Sequence, residues 1–198
     1  MPVIRAFIAV NLSPEILSRV GEISEQMQNL CRGVPVRWVP VENMHLTLKF
    51  LGDVSVSNIE LLQKILRKVG ALHSACEISV GGVGAYPKIQ KPRVLWIGLE
   101  APPELYALQK AVEGETEKLG YSREDRPFSP HLTIGRVQKN ASPQEIARLV
   151  DVLDAASVGF LGAARIREVH LYRSDLRPGG AIYTSLFSAP LRDDPAFK

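Results

Sequence analysis

Apolar residues recur along the chain with two periods, and the switches between them predict its elements. Arg5 to Val10 alternate in part, as a strand does, and run into Asn11-Leu12-Ser13-Pro14, where Ser13 can cap a helix and Pro14 can open it. Ile16, Val20, Ile23, Met27 and Leu30 then fall three and four apart, which predicts a helix to about Cys31 with one buried stripe. From Val36 the pattern is that of strands, broken at Pro40 and Glu42-Asn43 and resumed as His45-Leu46-Thr47-Leu48-Lys49-Phe50. Ser57 with Glu60 three residues on reads as a capping box for a helix faced by Ile59, Leu62, Leu66, Val69 and Leu72. Two strands, Glu77 to Val83 and Arg93 to Leu99, flank a Pro-containing loop, and Leu105, Leu108, Val112 and Leu119 mark another helix.

The order then repeats. His131-Leu132-Thr133-Ile134-Gly135-Arg136 reads as a strand, Lys139-Asn140 as a break, and Ser142 with Glu145 as a second capping box ahead of Ile146, Leu149, Val150 and Leu153. Strands from Arg165 to Ser174 and from Ala181 to Leu191 close the chain around a Pro178-Gly179-Gly180 turn suited to a hairpin. One strand–turn–helix unit thus occurs twice, each opening on His-Leu-Thr-aliphatic. The expected fold is α+β and bilobal: duplicated antiparallel sheets related by a pseudo-two-fold, helices packed outside, and a cleft between. No Gly/Ser tract, charge run or low-complexity segment separates the halves, so residues 1–198 are expected to form a single bilobal domain.

Composition narrows the class. A chain of 198 residues with 45% hydrophobic content is an ordinary globular protein. The segment MPVIRAFIAV holds Pro2 and Arg5 in too short an apolar run for a signal peptide or a membrane span, so a strand is expected there and no membrane partner. Cys31 and Cys76 lie far apart without a CxxC pair, which argues against disulfides and structural zinc and for a cytoplasmic location. A net charge of +3 allows a phosphate-bearing partner but is too small for a protein that wraps duplex nucleic acid, so any RNA should be gripped at one end.

Strand parity then groups the polar residues. Successive side chains point to opposite faces, so His45, Thr47 and Lys49 should face a cleft while Leu46, Leu48 and Phe50 are buried. His131 and Thr133 likewise face away from Leu132 and Ile134. Imidazole titrates near pH 6.5, so two histidines in one groove can divide into a neutral base and a protonated acid. Phosphodiester hydrolysis needs that division: one group takes the proton of the attacking water, the other protonates the leaving oxygen. Thr47 and Thr133 can donate to the phosphate oxygens. Neither His-x-Thr has an Asp or Glu at a ligand spacing, so no metal and no cofactor is expected.

These residues resemble a known family. His45-Leu-Thr-Leu and His131-Leu-Thr-Ile match the paired H-x-T-x motifs of the two-histidine (2H) phosphoesterase superfamily. Their surroundings, including Arg5-Ala-Phe-Ile-Ala, the run from His45 to Gly52, Pro127 to Arg136, and Leu171-Tyr-Arg-Ser174 with Tyr183, resemble its RNA 2′,3′-cyclic phosphodiesterase (2′-5′ RNA ligase-like) branch. The resemblance implies opening of RNA 2′,3′-cyclic phosphate ends to a 2′-phosphate, with His45 as proton donor and His131 as proton acceptor. It also implies reverse joining of RNA ends without ATP, and a phosphate-pairing role for Arg136. Strand parity, however, turns Arg136 away from His131, so either a bulge or the strand end re-aims it or it is structural.

Other residues carry competing readings. Phe7 and Trp96 fit core packing, yet a terminal base needs a stacking surface that Phe7 or Tyr86 could supply. Lys88, Lys91 and Arg93 read as a solvated loop or as contacts to the phosphate backbone, and His73 and His170 as surface or packing residues. The expected partners are RNA ends or oligonucleotides carrying a cyclic phosphate, with no obligate protein partner. Two alternatives remain at this level: a phosphodiesterase for small cyclic nucleotides, and a catalytically silent binder of RNA phosphate ends.

Overall fold

A computed structural model describes residues 2–178 and 180–193. Nine strands and four longer helices follow in the order β1 (Val3–Val10), α1 (Pro14–Leu30), β2 (Val36–Trp38), β3 (Leu46–Ser55), α2 (Ile59–Leu72), β4 (Cys76–Tyr86), β5 (Val94–Glu100), α3 (Pro103–Glu117), β6 (His131–Val137), α4 (Pro143–Ala155), β7 (Phe160–Ile166), β8 (Glu168–Arg177) and β9 (Gly180–Pro190) among the described residues. The strands form two antiparallel sheets, one in the order β3-β1-β8-β9 and the other β2-β6-β5-β4-β7. The α+β, two-sheet expectation therefore holds. The halves exchange strands: the four-stranded sheet takes its outer pair from the C-terminal end of the chain, and β2 of the first half edges the five-stranded sheet.

The apolar stripes explain the layers. Ile16, Val20 and Met27 of α1 are buried, and the helix packs on β7 of the five-stranded sheet. Leu62, Leu66 and Val69 of α2 are buried against β8 and β9 of the other sheet. Here Gly70 is required: a Cβ would lie 2.5 Å from the Pro190 carbonyl oxygen, so only a bare backbone lets helix and strand approach this closely. Helix α3 packs on α2 and β3, the strand that follows His45. The fully buried Ile8, Leu66, Leu95, Leu132 and Leu149 belong to one continuous core, each side chain removed from water worth about 1.5–3 kcal/mol.

Two local expectations change. The run from Arg165 to Ser174 is two strands, β7 and β8, which sit in different sheets on either side of Arg167; alternation of period two does not reveal that a chain changes sheets. Ser57 does not cap α2. It lies inside a single 3₁₀ turn, Val56–Asn58, and Asn58 takes the cap position without a side-chain bond. Ser142 does form its box with Glu145. At the expected hairpin, Arg177 and Gly180 pair as the ends of β8 and β9; Gly179 lies outside the described residues.

Candidate active site

The two His-x-Thr strands meet at the cleft, β3 packing beside β6. Each carries the same irregularity. Along β1, Ala9 pairs with Thr47 and Ile8 with Lys49, so Leu48 is an extra residue; along β5, Trp96 pairs with Thr133 and Leu95 with Gly135, so Ile134 is extra. A bulge of one residue reverses the facing of everything after it. Lys49 is thereby turned onto the buried side with Ile8, and Phe50 onto the cleft side with Phe7. This corrects the parity expectation for Phe50, which was to be buried; Lys49 still borders the cleft, but with its ammonium buried against Glu113. The second bulge turns Gly135 inward, where its bare Cα packs on Val36 and Trp38, and brings Arg136 out on the face of His131 and Thr133.

A cleft of about 650 Å³ lies between the sheets, lined by His45, Thr47, His131, Thr133 and Arg136 together with Tyr86, Tyr183 and Phe50. Both histidine rings are anchored to the backbone two residues upstream. Nδ1 of His131 lies 2.7 Å from the Ser129 carbonyl oxygen, an acceptor only, so Nδ1 carries the hydrogen and Nε2 is left to exchange a proton. His45 is hydrogen-bonded to the backbone of Asn43. Asn43 is itself tied down, its side-chain amide donating to the Ala181 carbonyl at 3.0 Å.

The surroundings of the two rings set their basicity. His45 stacks on Phe7 at 4.6 Å and 19° and takes the edge of Tyr183 at 5.2 Å. Burial pushes its pKa down to about 4, partly offset by the bond to Asn43. His131 meets the edge of Tyr86 at 5.0 Å. Its pKa is also lowered, first by burial and further by the charge of Arg136, against the bond to Ser129. Both rings are therefore neutral at pH 7. An anion in the cleft would favour the imidazolium form of either ring and offset the Arg136 charge.

Behind the first motif, Lys49 Nζ lies 2.6 Å from Glu113 Oε2 of α3, with side-chain exposures of 2% and 9%, and donates to the Ser122 carbonyl at 2.7 Å. Gln109 reaches both Glu113 Oε1 at 3.4 Å and the carbonyl of the bulged Leu48 at 3.5 Å. This buried polar cluster fixes the bulge of β3 and ties it to the segment that leads into His131.

Of the other sequence candidates, Tyr86 lines the cleft and donates to Ser129 Oγ at 2.7 Å. Phe7 does not offer a stacking surface. It is 3% exposed, with the rings of His45, Phe50, Tyr172 and Tyr183 packed around it, so it presents no face to a base. Arg93 lines the cleft, whereas Lys88 and Lys91 are exposed on the loop beyond it. Trp96 sits on the concave side, paired with Thr133 and beside Tyr86, rather than in the core. His170 is half-buried against Tyr172, and His73 follows α2, both outside the cleft lining. Sequence reasoning passed over Tyr183 as a site residue and misplaced Phe50; no periodic signal marks a bulge, although its recurrence at one step of both motifs is a consequence of the repeat. Among the described residues no group of three or more His, Cys, Asp or Glu could hold a metal ion, and no helix is long and apolar enough to cross a membrane.

The family model for LigT like phosphoesterases matches the chain twice, over residues 10–96 and 97–183, one His-x-Thr in each match. The chain belongs to this family, within the 2H phosphoesterase superfamily. A LigT-like relative from Methanothermobacter thermautotrophicus, named RNA 2′,3′-cyclic phosphodiesterase, is 35% identical over 183 residues, covering 92% of this chain and 96% of its own. A protein of the same name from Archaeoglobus fulgidus is 35% identical over 182 residues, covering 92% and 97%. Among solved LigT-like folds, a Thermus thermophilus protein superposes with a TM-score of 0.79 at 25% identity over 96% of this chain and 99% of its own. Escherichia coli LigT in complex with 3′-AMP gives 0.75 at 25% identity with the same coverage.

Proposed function

We propose that this LigT-like phosphoesterase opens 2′,3′-cyclic phosphate ends of RNA to 2′-phosphates, without a metal, by acid–base catalysis between His45 and His131. The observation that carries it is one cleft lined by two histidines, each ring fixed to the backbone two residues upstream, with Thr47, Thr133 and Arg136 beside them. Relatives named RNA 2′,3′-cyclic phosphodiesterase at 35% identity support the substrate.

In this reaction neutral His131 takes a proton from water through Nε2. The water oxygen attacks phosphorus in line with the ribose O3′, the P–O3′ bond breaks, and protonated His45 delivers its proton to O3′. The products are a 2′-phosphate and a 3′-hydroxyl. Each histidine contributes about 10²- to 10⁴-fold to the rate. Arg136 forks onto the non-bridging oxygens, and the threonine hydroxyls donate to them as charge accumulates. For joining, a 5′-hydroxyl replaces water as the nucleophile and a 2′-5′ phosphodiester replaces the 2′-phosphate as product, so the histidines keep their roles; they exchange them when the 2′-5′ bond is cleaved back to the cyclic phosphate, by microscopic reversibility. The buried thiols of Cys31 and Cys76 suit a reducing cytoplasm as the place of action.

The test is incubation of the EDTA-treated protein with a short RNA ending in a 2′,3′-cyclic phosphate, alongside His45→Ala and His131→Ala, with the product isomer identified. A 2′-phosphate formed without metal and lost in both variants is expected. Turnover that survives either substitution, or that needs added metal, overturns the mechanism.

A further inference from the structure

The residue two places before each cleft histidine is tied down through its own side chain as well as holding the ring through its backbone. His45 is hydrogen-bonded to the backbone of Asn43, whose side-chain amide donates to the Ala181 carbonyl of β9 at 3.0 Å. His131 donates from Nδ1 to the Ser129 carbonyl at 2.7 Å, and the Ser129 Oγ accepts from the Tyr86 hydroxyl at 2.7 Å.

The two supports differ in what else holds them. Asn43 ends a 3₁₀ turn, Val41–Asn43, and its amide donates to the Pro40 carbonyl at 2.9 Å. Ser129 has no such turn. Among the described residues the stretch 122–130 makes no backbone–backbone hydrogen bond, and side chains hold it: Lys49 on the Ser122 carbonyl at its far end, Tyr86 on Ser129 next to His131. A carbonyl outside any ladder keeps its direction only through such ties. Tyr86 is firmly mounted for this. It ends β4 as the partner of Val94, its carbonyl accepts from the Arg93 amide at 2.7 Å, and its ring lies 5.3 Å from that of Trp96. Trp96 in turn fills the space over Gly84, where any Cβ would run into the indole. The rings of Tyr86 and His131 also meet edge to face, at 5.0 Å and 77°.

Resting on the reading of the site given above, we propose that Tyr86 is a positioning residue for His131: through Ser129 it aims the carbonyl that keeps the hydrogen of the neutral imidazole on Nδ1, so that the lone pair of Nε2 faces the attacking water. The hydrogen bond made by one ring nitrogen decides which tautomer a neutral imidazole adopts. With the carbonyl turned away the hydrogen moves to Nε2, and a ring in that form cannot take a proton on the side of the phosphate. Tyr86 thus acts on the base without needing to touch the substrate.

The experiment uses Tyr86→Phe, which removes only the hydroxyl, Ser129→Ala, which removes only its acceptor, and the two together. Steady-state rates on an RNA ending in a 2′,3′-cyclic phosphate are paired with long-range proton–nitrogen spectra of the histidine-labelled protein, which show the hydrogen of neutral His131 on Nδ1 or on Nε2. Each single variant is expected to lower kcat by about 2- to 10-fold at unchanged KM, the loss of one neutral hydrogen bond. The double variant should fall no further than the worse single one, and in all three the His131 signals should move towards the Nε2–H form. An unchanged kcat, a tautomer like the wild type's in Tyr86→Phe, losses that multiply, or a raised KM that marks direct contact between the phenol and the substrate overturns the assignment. If the wild type opens no cyclic phosphate, the proposed reaction falls, and the spectra decide the positioning alone: a tautomer shift shared by both single variants upholds it, and unaltered signals overturn it.

Discussion

Beside His45 the extra residue of the strand is Leu48; beside His131 it is Ile134, at the same step of the motif. From there the two half-sites diverge. The residue turned inward is Lys49 in the first, held by Glu113 and the Ser122 carbonyl, and Gly135 in the second, covered by Val36 and Trp38. The residue turned outward is Phe50 in the first and Arg136 in the second. His45 lies against aromatic rings and is pushed down to about pKa 4, whereas His131 has the guanidinium of Arg136 acting on it as well as burial. A repeated backbone irregularity therefore fixes how four residues face, while their identities bring an aromatic ring to the cleft on one side and a guanidinium on the other. Duplication provides the geometry, and substitution within it divides the chemistry.

The sharpest way to break that comparison is to ask whether the half-sites act as one unit. His45→Ala and His131→Ala are each expected to lower kcat by about 10²- to 10⁴-fold, and the double variant to lose little more than the worse single one, because a proton relay lacking one member has already lost its function. Single-turnover rates on a cyclic-phosphate RNA measure this. Losses that multiply would mean that the two histidines act independently.

The inward-turned pair tests the buried side. Lys49→Met leaves the Glu113 carboxylate without its partner in a nearly dry site, an expected loss of about 3–5 kcal/mol; Lys49→Met with Glu113→Leu should recover most of it. Gly135→Ala sets a methyl 2.9 Å from Val36 Cγ1 and 3.2 Å from the Trp38 ring, an overpacking expected to cost about 1–3 kcal/mol. Urea midpoints of the three variants give the order, and equal losses for Lys49→Met and the double variant would show that the ion pair does not carry the cost.

Much of this was legible beforehand, and the exceptions have physical causes. Both His-x-Thr motifs, the four helical stripes and the duplicated order can be read because side-chain period and polarity are local properties. The bulges cannot: the alternation Leu46-Thr47-Leu48-Lys49-Phe50 is equally regular with or without an extra residue, since the register depends on what β1 offers opposite. That is why parity buried Phe50 and turned Arg136 away. Phe7 was legible as aromatic but not as covered, because its neighbours His45 and Tyr172 come from β-structure far along the chain. The division into β7 and β8 escaped for the same reason, sheet membership being non-local.

The pH dependence of stability separates the histidines further. His45 has a folded pKa of about 4 against 6.5 for an ordinary histidine. Between these values the unfolded chain binds the proton that the folded site refuses, so stability falls as pH drops from 6.5 towards 4. Below pH 4 the full cost of roughly 3 kcal/mol is present, at 1.36 kcal/mol per unit. His45→Gln, which has nothing to titrate, should flatten that part of the profile. His131→Gln should flatten it in the same direction, since its folded pKa is also lowered. Denaturant midpoints from pH 4 to 7 check both, and a slope unaltered by His45→Gln would mean that its ring is hydrated.

The smallest contrast lies at the helices that follow the two motifs. Each unit offers Ser-x-x-Glu, yet only Ser142 sits extended ahead of its helix, accepting from the Glu145 amide at 3.3 Å while its own amide donates to Glu145 Oε2 at 2.7 Å. Ser57 is taken up by the 3₁₀ turn, its hydroxyl 2.8 Å from that of Ser55. A cap satisfies helix amides that otherwise depend on water, so Ser142→Ala should cost about 1 kcal/mol. Ser57→Ala, on an exposed turn, should stay within about 0.5 kcal/mol. Thermal midpoints of the two variants make the comparison. Equal losses would mean that Ser57 also caps its helix in solution, and that the two units are more alike at their helix entrances than the 3₁₀ turn allows.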